Sequence, residues 1–295
     1  MLKKTVVKGI LAASLAIFVN LQPFMTVAFG LDEVLGSVAV GFEAGGSAIT
    51  ELESSIIIHI PVMASGNRNN YIALNRSTGT VIPFSFYSGS EVALSTSRLG
   101  TFDVVYRSIY FNDIQDHWAS SNISFVSARG LLTGTGSDIF NPSGTMTRAM
   151  FVQVLANLYD ADLNASVSSR FTDVNNDAWY MPAIEWATNL GIVSGVSEDI
   201  FSPAANITRE QMATMLANYL NHKGYSLPSG ASTIFNDTDD ISPWAVESVQ
   251  LLQQAGVLGG RPNNNFDPQG IATRAEAATI FTQLIRTHVN YIAQN

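Results

Sequence analysis

Thr273-Arg274-Ala275-Glu276 reads as the start of the last apolar helix of the chain, and two earlier stretches repeat it: Thr208-Arg209-Glu210-Gln211 and Thr147-Arg148-Ala149-Met150. Each arginine stands thirty residues after a tryptophan, Trp118, Trp179 or Trp244. A glycine follows each tryptophan by twelve residues (Gly130, Gly191, Gly256). A Phe-x-Pro precedes each threonine at one offset: Phe140/Pro142, Phe201/Pro203 and Phe266/Pro268. Three copies with one internal spacing make a tandem repeat, and that decides how the rest is read.

Each threonine is expected to cap a helix, its hydroxyl accepting an otherwise unpaired backbone N–H. Gln211 and Glu276, three residues on, complete a capping box; Met150 cannot. Behind each cap runs an apolar stripe at helical spacing: Phe151, Val154, Leu155, Leu158; Met212, Met215, Leu216, Tyr219; Ala277, Ile280, Phe281, Leu284. Between tryptophan and glycine a shorter helix is expected, with Ile123/Val126, Ile184/Ala187 and Val249/Leu252 on its inner face. The glycine suits the left-handed residue that ends a helix. One such pair cannot enclose a core, so the copies are expected to pack on one another.

The arginine occupies the first helical position, where the macrodipole disfavours a cation. Two readings stand. It pairs with a nearby carboxylate, or it joins the helix amides in a site for a carboxylate or phosphate. On the second, replacement by alanine should leave folding intact.

Phe-x-Asp, Trp, Gly-Ile/Leu, Phe-x-Pro and Thr-Arg-Ala-Glu together resemble the S-layer homology repeat of bacterial cell-surface proteins. The copies are residues 111–159, 171–220 and 235–286, about three fifths of the chain. Met150, Ala272 and Thr238 depart from the pattern. The resemblance implies a compact pseudo-threefold helical bundle with polysaccharide-binding grooves between repeats, built from Asp113, Trp118 and Arg148, Asp173, Trp179 and Arg209, and Asp237, Trp244 and Arg274. It implies non-covalent anchoring to a secondary cell-wall polysaccharide through a pyruvylated sugar, whose carboxylate would meet the arginine.

The net charge of −9 resides in the repeats: from residue 111 on, eight Lys/Arg face seventeen Asp/Glu. That argues against a nucleic-acid partner, which needs a basic footprint. There is no cysteine, hence no disulfide framework and no thiolate chemistry.

Residues 1–30 read as a secretory signal: Lys3, Lys4 and Lys8, an apolar stretch over 10–18, and a small-x-small site at Ala28-Phe29-Gly30. No membrane span is expected after cleavage. Residues 31–108 form a small β-rich module. Its first part, 31–54, is rich in glycine and alanine with little period. About five antiparallel strands are expected after it, over 55–60, 71–74, 80–87, 91–96 and 101–106. Repeats follow over 109–166, 167–229 and 230–288, then a tail, 289–295. The fold class is α + β multi-domain, a β-module ahead of an all-α array.

Other motifs carry less. Asp173-Val174-Asn175-Asn176-Asp177 begins like a calcium loop, but Ala178 and Ile184 stand where an EF-hand needs glycine and glutamate. His117 has no counterpart in the other repeats and reads as a turn residue. The three repeat tryptophans read as core anchors, as sugar-stacking platforms, or as both; Trp186 reads as packing. No nucleophile elbow or phosphate loop occurs. No catalytic residue, metal or cofactor is therefore expected, and the chain reads as a secreted, non-enzymatic wall or S-layer protein of a Gram-positive bacterium. Two alternatives remain: a wall hydrolase tethered by the repeats, or a minor S-layer subunit whose β-module contacts other surface-layer proteins.

Overall fold

The computed structural model describes residues 16–21, 33–44, 47–164, 168–231 and 233–295. The chain divides into two compact units, Met1–Arg107 and Ser108–Asn295.

Among its described residues the first unit is built of antiparallel strands with one short 3-10 turn. One sheet runs β1 (Ala16–Leu21), β2 (Val34–Ala44), β9 (Gly100–Tyr106), β5 (Tyr71–Asn75), β6 (Val81–Ile82), with β3 (Ser47–Ile49) hairpinned onto β2. The other is β4 (Glu51–Pro61), β8 (Glu91–Arg98), β7 (Ser85–Ser88). Alternate residues line one core: Val38, Val40 and Phe42; Ile58, Ile60 and Val62; Tyr71 and Ala73; Val92 and Leu94; Phe102 and Val104. Buried Asp103 is matched by a bidentate Arg76, at 2.8 and 2.6 Å.

The module holds more strands than the expected five. β2 escapes a sequence reading because its outward residues, Ala39 and Gly41, are small and blur the alternation. The expected strand over 80–87 is two: Pro83, with no N–H to give, parts β6 from β7, which join different sheets. β1 falls inside the expected leader and pairs with β2, Ala16 opposite Glu43 through Leu21 opposite Val38. The proposed cleavage site lies outside the described residues.

The second unit contains α1 (Ser120–Ala128), α2 (Arg148–Tyr159), α3 (Met181–Asn189), α4 (Arg209–Lys223), α5 (Val246–Gln254) and α6 (Arg274–Gln294). Each repeat is thus a short helix, a loop and a long helix. The stripes predicted from spacing are buried, with Ile123, Val126, Ile184, Ala187 and Leu252 fully so. Gly130, Gly191 and Gly256 take φ of 69°, 68° and 69° just beyond the short helices, the left-handed turn that favours glycine. α6 runs on through the stretch set apart as a tail, and Val289 is buried.

The long helices do not pack chiefly on their own short partners. α2 packs on α3, α4 on α5, and α6 returns to α1. At the centre, three equivalent residues exchange backbone hydrogen bonds in a ring: Met146 N–H to the Ala272 carbonyl (2.9 Å), Ala272 N–H to Ile207 (3.1 Å), Ile207 N–H to Met146 (2.9 Å). All three are fully buried. Among the described residues no helix is long and apolar enough to cross a membrane.

Candidate functional site: the junctions between repeats

The start of each long helix sets the geometry. Thr147, Thr208 and Thr273 accept the amide three residues on, at 3.2, 3.3 and 3.2 Å. Capping boxes form at Thr208 and Thr273, and not at Thr147, where Met150 has no acceptor to offer. The two amides before that one are taken by the neighbouring repeat. Arg148, Arg209 and Arg274 N–H donate to the carbonyls of Ala205, Gly270 and Gly144. Ala149, Glu210 and Ala275 N–H donate to Pro203, Pro268 and Pro142. The expected anion site made of helix amides is therefore absent: those donors tie one repeat to the next.

The arginine side chains follow the same route. All three are buried. Arg148 Nε donates to the Phe201 carbonyl (3.0 Å) and Nη2 to Ser194 (2.9 Å). Arg209 repeats this with Phe266 (2.7 Å) and Gly259 (2.9 Å), and Arg274 with Phe140 (2.8 Å) and Thr133 (2.5 Å). Each guanidinium carbon lies 4.4 to 5.0 Å from the ring centre of that same phenylalanine, a cation–π arrangement. Burial pulls the proton affinity of each arginine down. Nearby carboxylates oppose it: Asp173 for Arg148, Glu276 for Arg209, Asp113 for Arg274.

Asp113, Asp173 and Asp237 grip the other side of the same peptides. Each carboxylate accepts the two amides of its own Phe-x: Phe140 and Asn141 at 2.9 and 2.6 Å, Phe201 and Ser202 at 2.9 and 2.7 Å, Phe266 and Asp267 at 2.7 and 2.6 Å. Asn141, Ser202 and Asp267 have φ of 59°, 59° and 57°, a left-handed conformation that side chains disfavour. The paired amide bonds hold it. At Asp113 burial works against ionisation, but the amides of Phe140 and Asn141, with Arg274, outweigh it and leave the carboxyl below its usual range.

The aspartate and arginine brought together therefore come from different repeats. Asp113 meets Arg274 across Phe140, Asp173 meets Arg148 across Phe201, and Asp237 meets Arg209 across Phe266. Trp118, Trp179 and Trp244 are 66%, 60% and 54% exposed, each just before the residue that caps a short helix, so they are not core anchors. Trp186 packs edge-on against Tyr159, ring centres 5.0 Å apart. His117 Nδ1 accepts the Ala119 amide, a turn role.

A further triplet escapes the sequence reading: Gly134, Gly195 and Gly260, sixteen residues after each tryptophan. A Cβ there would meet the ring of Phe111, Phe171 or Phe235 at 2.8, 2.7 and 2.9 Å. Only glycine lets the loop pass beneath that ring and present the preceding carbonyl to the arginine. The fixed offset was the available signal.

The three junctions differ in one respect. Arg209 Nη1 donates to Glu276 Oε1 at 3.0 Å, and Arg261 also holds Glu276 and pairs with Asp267. Beside it, buried Glu210 accepts from the Ser242 amide and hydroxyl and from Gln269. Among the described residues Arg148 and Arg274 make no such third bond: their Nη1 groups have no hydrogen-bond partner there, and they are not among the atoms fully shut off from solvent. Among the described residues no group of His, Cys, Asp and Glu is placed to hold a metal ion.

Residues 110–150, 170–213 and 234–278 match the S-layer homology domain. The chain is 37% identical over 63% of its length to an exoglucanase, XynX, of Acetivibrio thermocellus, covering 17% of that protein. It is 30% identical over 59% of its length to a surface-layer 125 kDa protein of Lysinibacillus sphaericus, covering 14%. It is 28% identical over 52% of its length to a cellulosome-anchoring protein of A. thermocellus, covering 34%. The chain thus spans about a third or less of each of these relatives.

Proposed function

We propose that the chain, which carries three copies of the S-layer homology domain, is exported and held non-covalently at a bacterial cell wall by those copies. The ligand is a secondary cell-wall polysaccharide, engaged at a pyruvylated sugar, and the binding unit is a pseudo-threefold bundle. The reading rests on the Nη1 groups of Arg148 and Arg274, each a charged donor without a partner among the described residues, on a guanidinium already fixed by two carbonyls and an aromatic ring. A ketal-linked pyruvate offers the carboxylate such a donor suits, with much of the ordering cost met by the fold. Asp113 and Asp173 set the loop beside each arginine. The exposed tryptophans supply apolar faces for sugar rings.

Trp118, Trp179 and Trp244 give the cleanest test, since more than half of each lies outside the core. Replacing all three by alanine should leave the thermal melt unchanged and abolish pull-down by purified wall polysaccharide. Chemical removal of pyruvate should abolish pull-down of the wild type. Retention by the pyruvate-free polymer would contradict the carboxylate reading.

A second reading is favoured by the relative named as an exoglucanase: the repeats tether a longer protein with a catalytic module outside these residues. Zymography on purified walls separates the two, because lysis requires an enzyme. The repeats anchor in either case.

A further inference from the structure

Building on the reading of Arg148, Arg209 and Arg274 as carboxylate-binding groups, we infer that Glu276 is an internal stand-in for the ligand's carboxylate, so that the sites at Arg148 and Arg274 are open and the one at Arg209 is self-occupied. Glu276 Oε1 receives Arg209 Nη1 at 3.0 Å, at the guanidinium nitrogen for which Arg148 and Arg274 have no partner among the described residues. The carboxylate is held from two further directions. The Thr273 amide donates to Oε2 at 2.8 Å, and Arg261 donates to Oε1 through Nε (3.1 Å) and Nη2 (3.0 Å). An incoming carboxylate would have to displace a tethered one that loses almost no freedom on binding, and would meet its negative charge.

The difference is written in the sequence, one repeat further on than the arginine it acts upon. Glu276 is the third residue of α6, and the equivalent positions in α4 and α2 are Gln211 and Met150. Neither carries a charge. Gln211 already makes the same cap, its Oε1 accepting the Thr208 amide at 3.2 Å. Exchange of Glu and Gln at either position therefore alters the charge and keeps the cap.

The test is calorimetric titration of the full chain with a synthetic monosaccharide bearing a ketal-linked pyruvate, the same sugar without the ketal serving as control. Two sites are expected in the wild type, three in Glu276→Gln and one in Gln211→Glu, with a thermal melt of each to verify folding. If Glu276→Gln fails to fold, the loss of a site in Gln211→Glu decides. Three sites in the wild type, or an unchanged count in the variants, would overturn the inference and leave the carboxylate reading standing. No binding by any of the three proteins would overturn that reading, and this inference with it.

Discussion

The junction between the second and third repeats and the other two junctions share one backbone plan and differ in their side chains. All three spend the first helix amides on the next repeat, and all three lay an arginine over a phenylalanine. The second junction then adds a cluster of charges, Arg209, Glu276, Arg261 and Asp267, and a buried carboxylate at Glu210. The shared part is what a repeat needs in order to close on its neighbour. The added part is what makes one junction internally complete, while the others keep an arginine donor without a partner among the described residues. Two arginines at equivalent positions can thus have different chemistry while keeping the same pair of carbonyl partners and the same backbone bonds to the next repeat.

The shared plan is most severely tested by deleting residues 235–286. If every long helix depends on the next repeat, the first two repeats should lose cooperative unfolding altogether, because α4 loses α5 and α1 loses α6. A remaining pair that melts as it does in the full chain would break the comparison at its root. A smaller effect is expected from the arginines singly. Arg148→Ala leaves the carbonyls of Phe201 and Ser194 without their donor, and Arg274→Ala does the same to Phe140 and Thr133. Each should cost roughly 2–4 kcal/mol in urea denaturation, on the scale of unsatisfied buried acceptors. Arg209→Ala should match them, since Arg261 remains to hold Glu276. A loss under about 0.5 kcal/mol would mean the guanidinium is not a structural part.

The smallest expected effect sharpens the contrast, because it belongs to the second junction. His288 of α6 is buried and stacks on Tyr225, just beyond α4, with ring centres 4.1 Å apart. Burial lowers its pKa from 6.5 to about 4, partly opposed by the backbone of Ser226. The folded value is the lower one, so the stabilisation is complete above pH 6.5. It declines as pH falls and is lost through pH 4, with about 2 kcal/mol gone by pH 5. His288→Phe should flatten the stability profile between pH 6.5 and 5. An unaltered slope would remove His288 from the comparison.

Much of this was legible in the residues. Thr208 and Gln211, like Thr273 and Glu276, announced capping boxes that the structure contains, and the missing acid at Met150 announced the box that fails. Spacing located both helices of every repeat. What spacing could not supply was the partner. Arg274 reaches Phe140 across 134 positions of chain, and Arg148 reaches forward to Phe201. A periodic pattern records what each copy contains and is silent on which copy each residue touches. For the same reason the expectation that alanine at the arginine would leave folding intact considered only the helix dipole and not the carbonyls of the next repeat that the guanidinium holds. In the β-module the obstacle was different. Ala39 and Gly41 on the outward face of β2 hid a strand whose inward residues, Val38, Val40 and Phe42, are buried.

The return of α6 to α1 has a mechanical consequence. An open stack of repeats under tension sheds its end unit first, because that unit has a neighbour on one side only. Here the first short helix is clasped by the last long one, so the array has no end unit. Load applied where the chain enters at Ser108 must shear α1 from α6 before any repeat can come away. The ring through Met146, Ile207 and Ala272 closes the same way on itself, using the amide and carbonyl of each residue once.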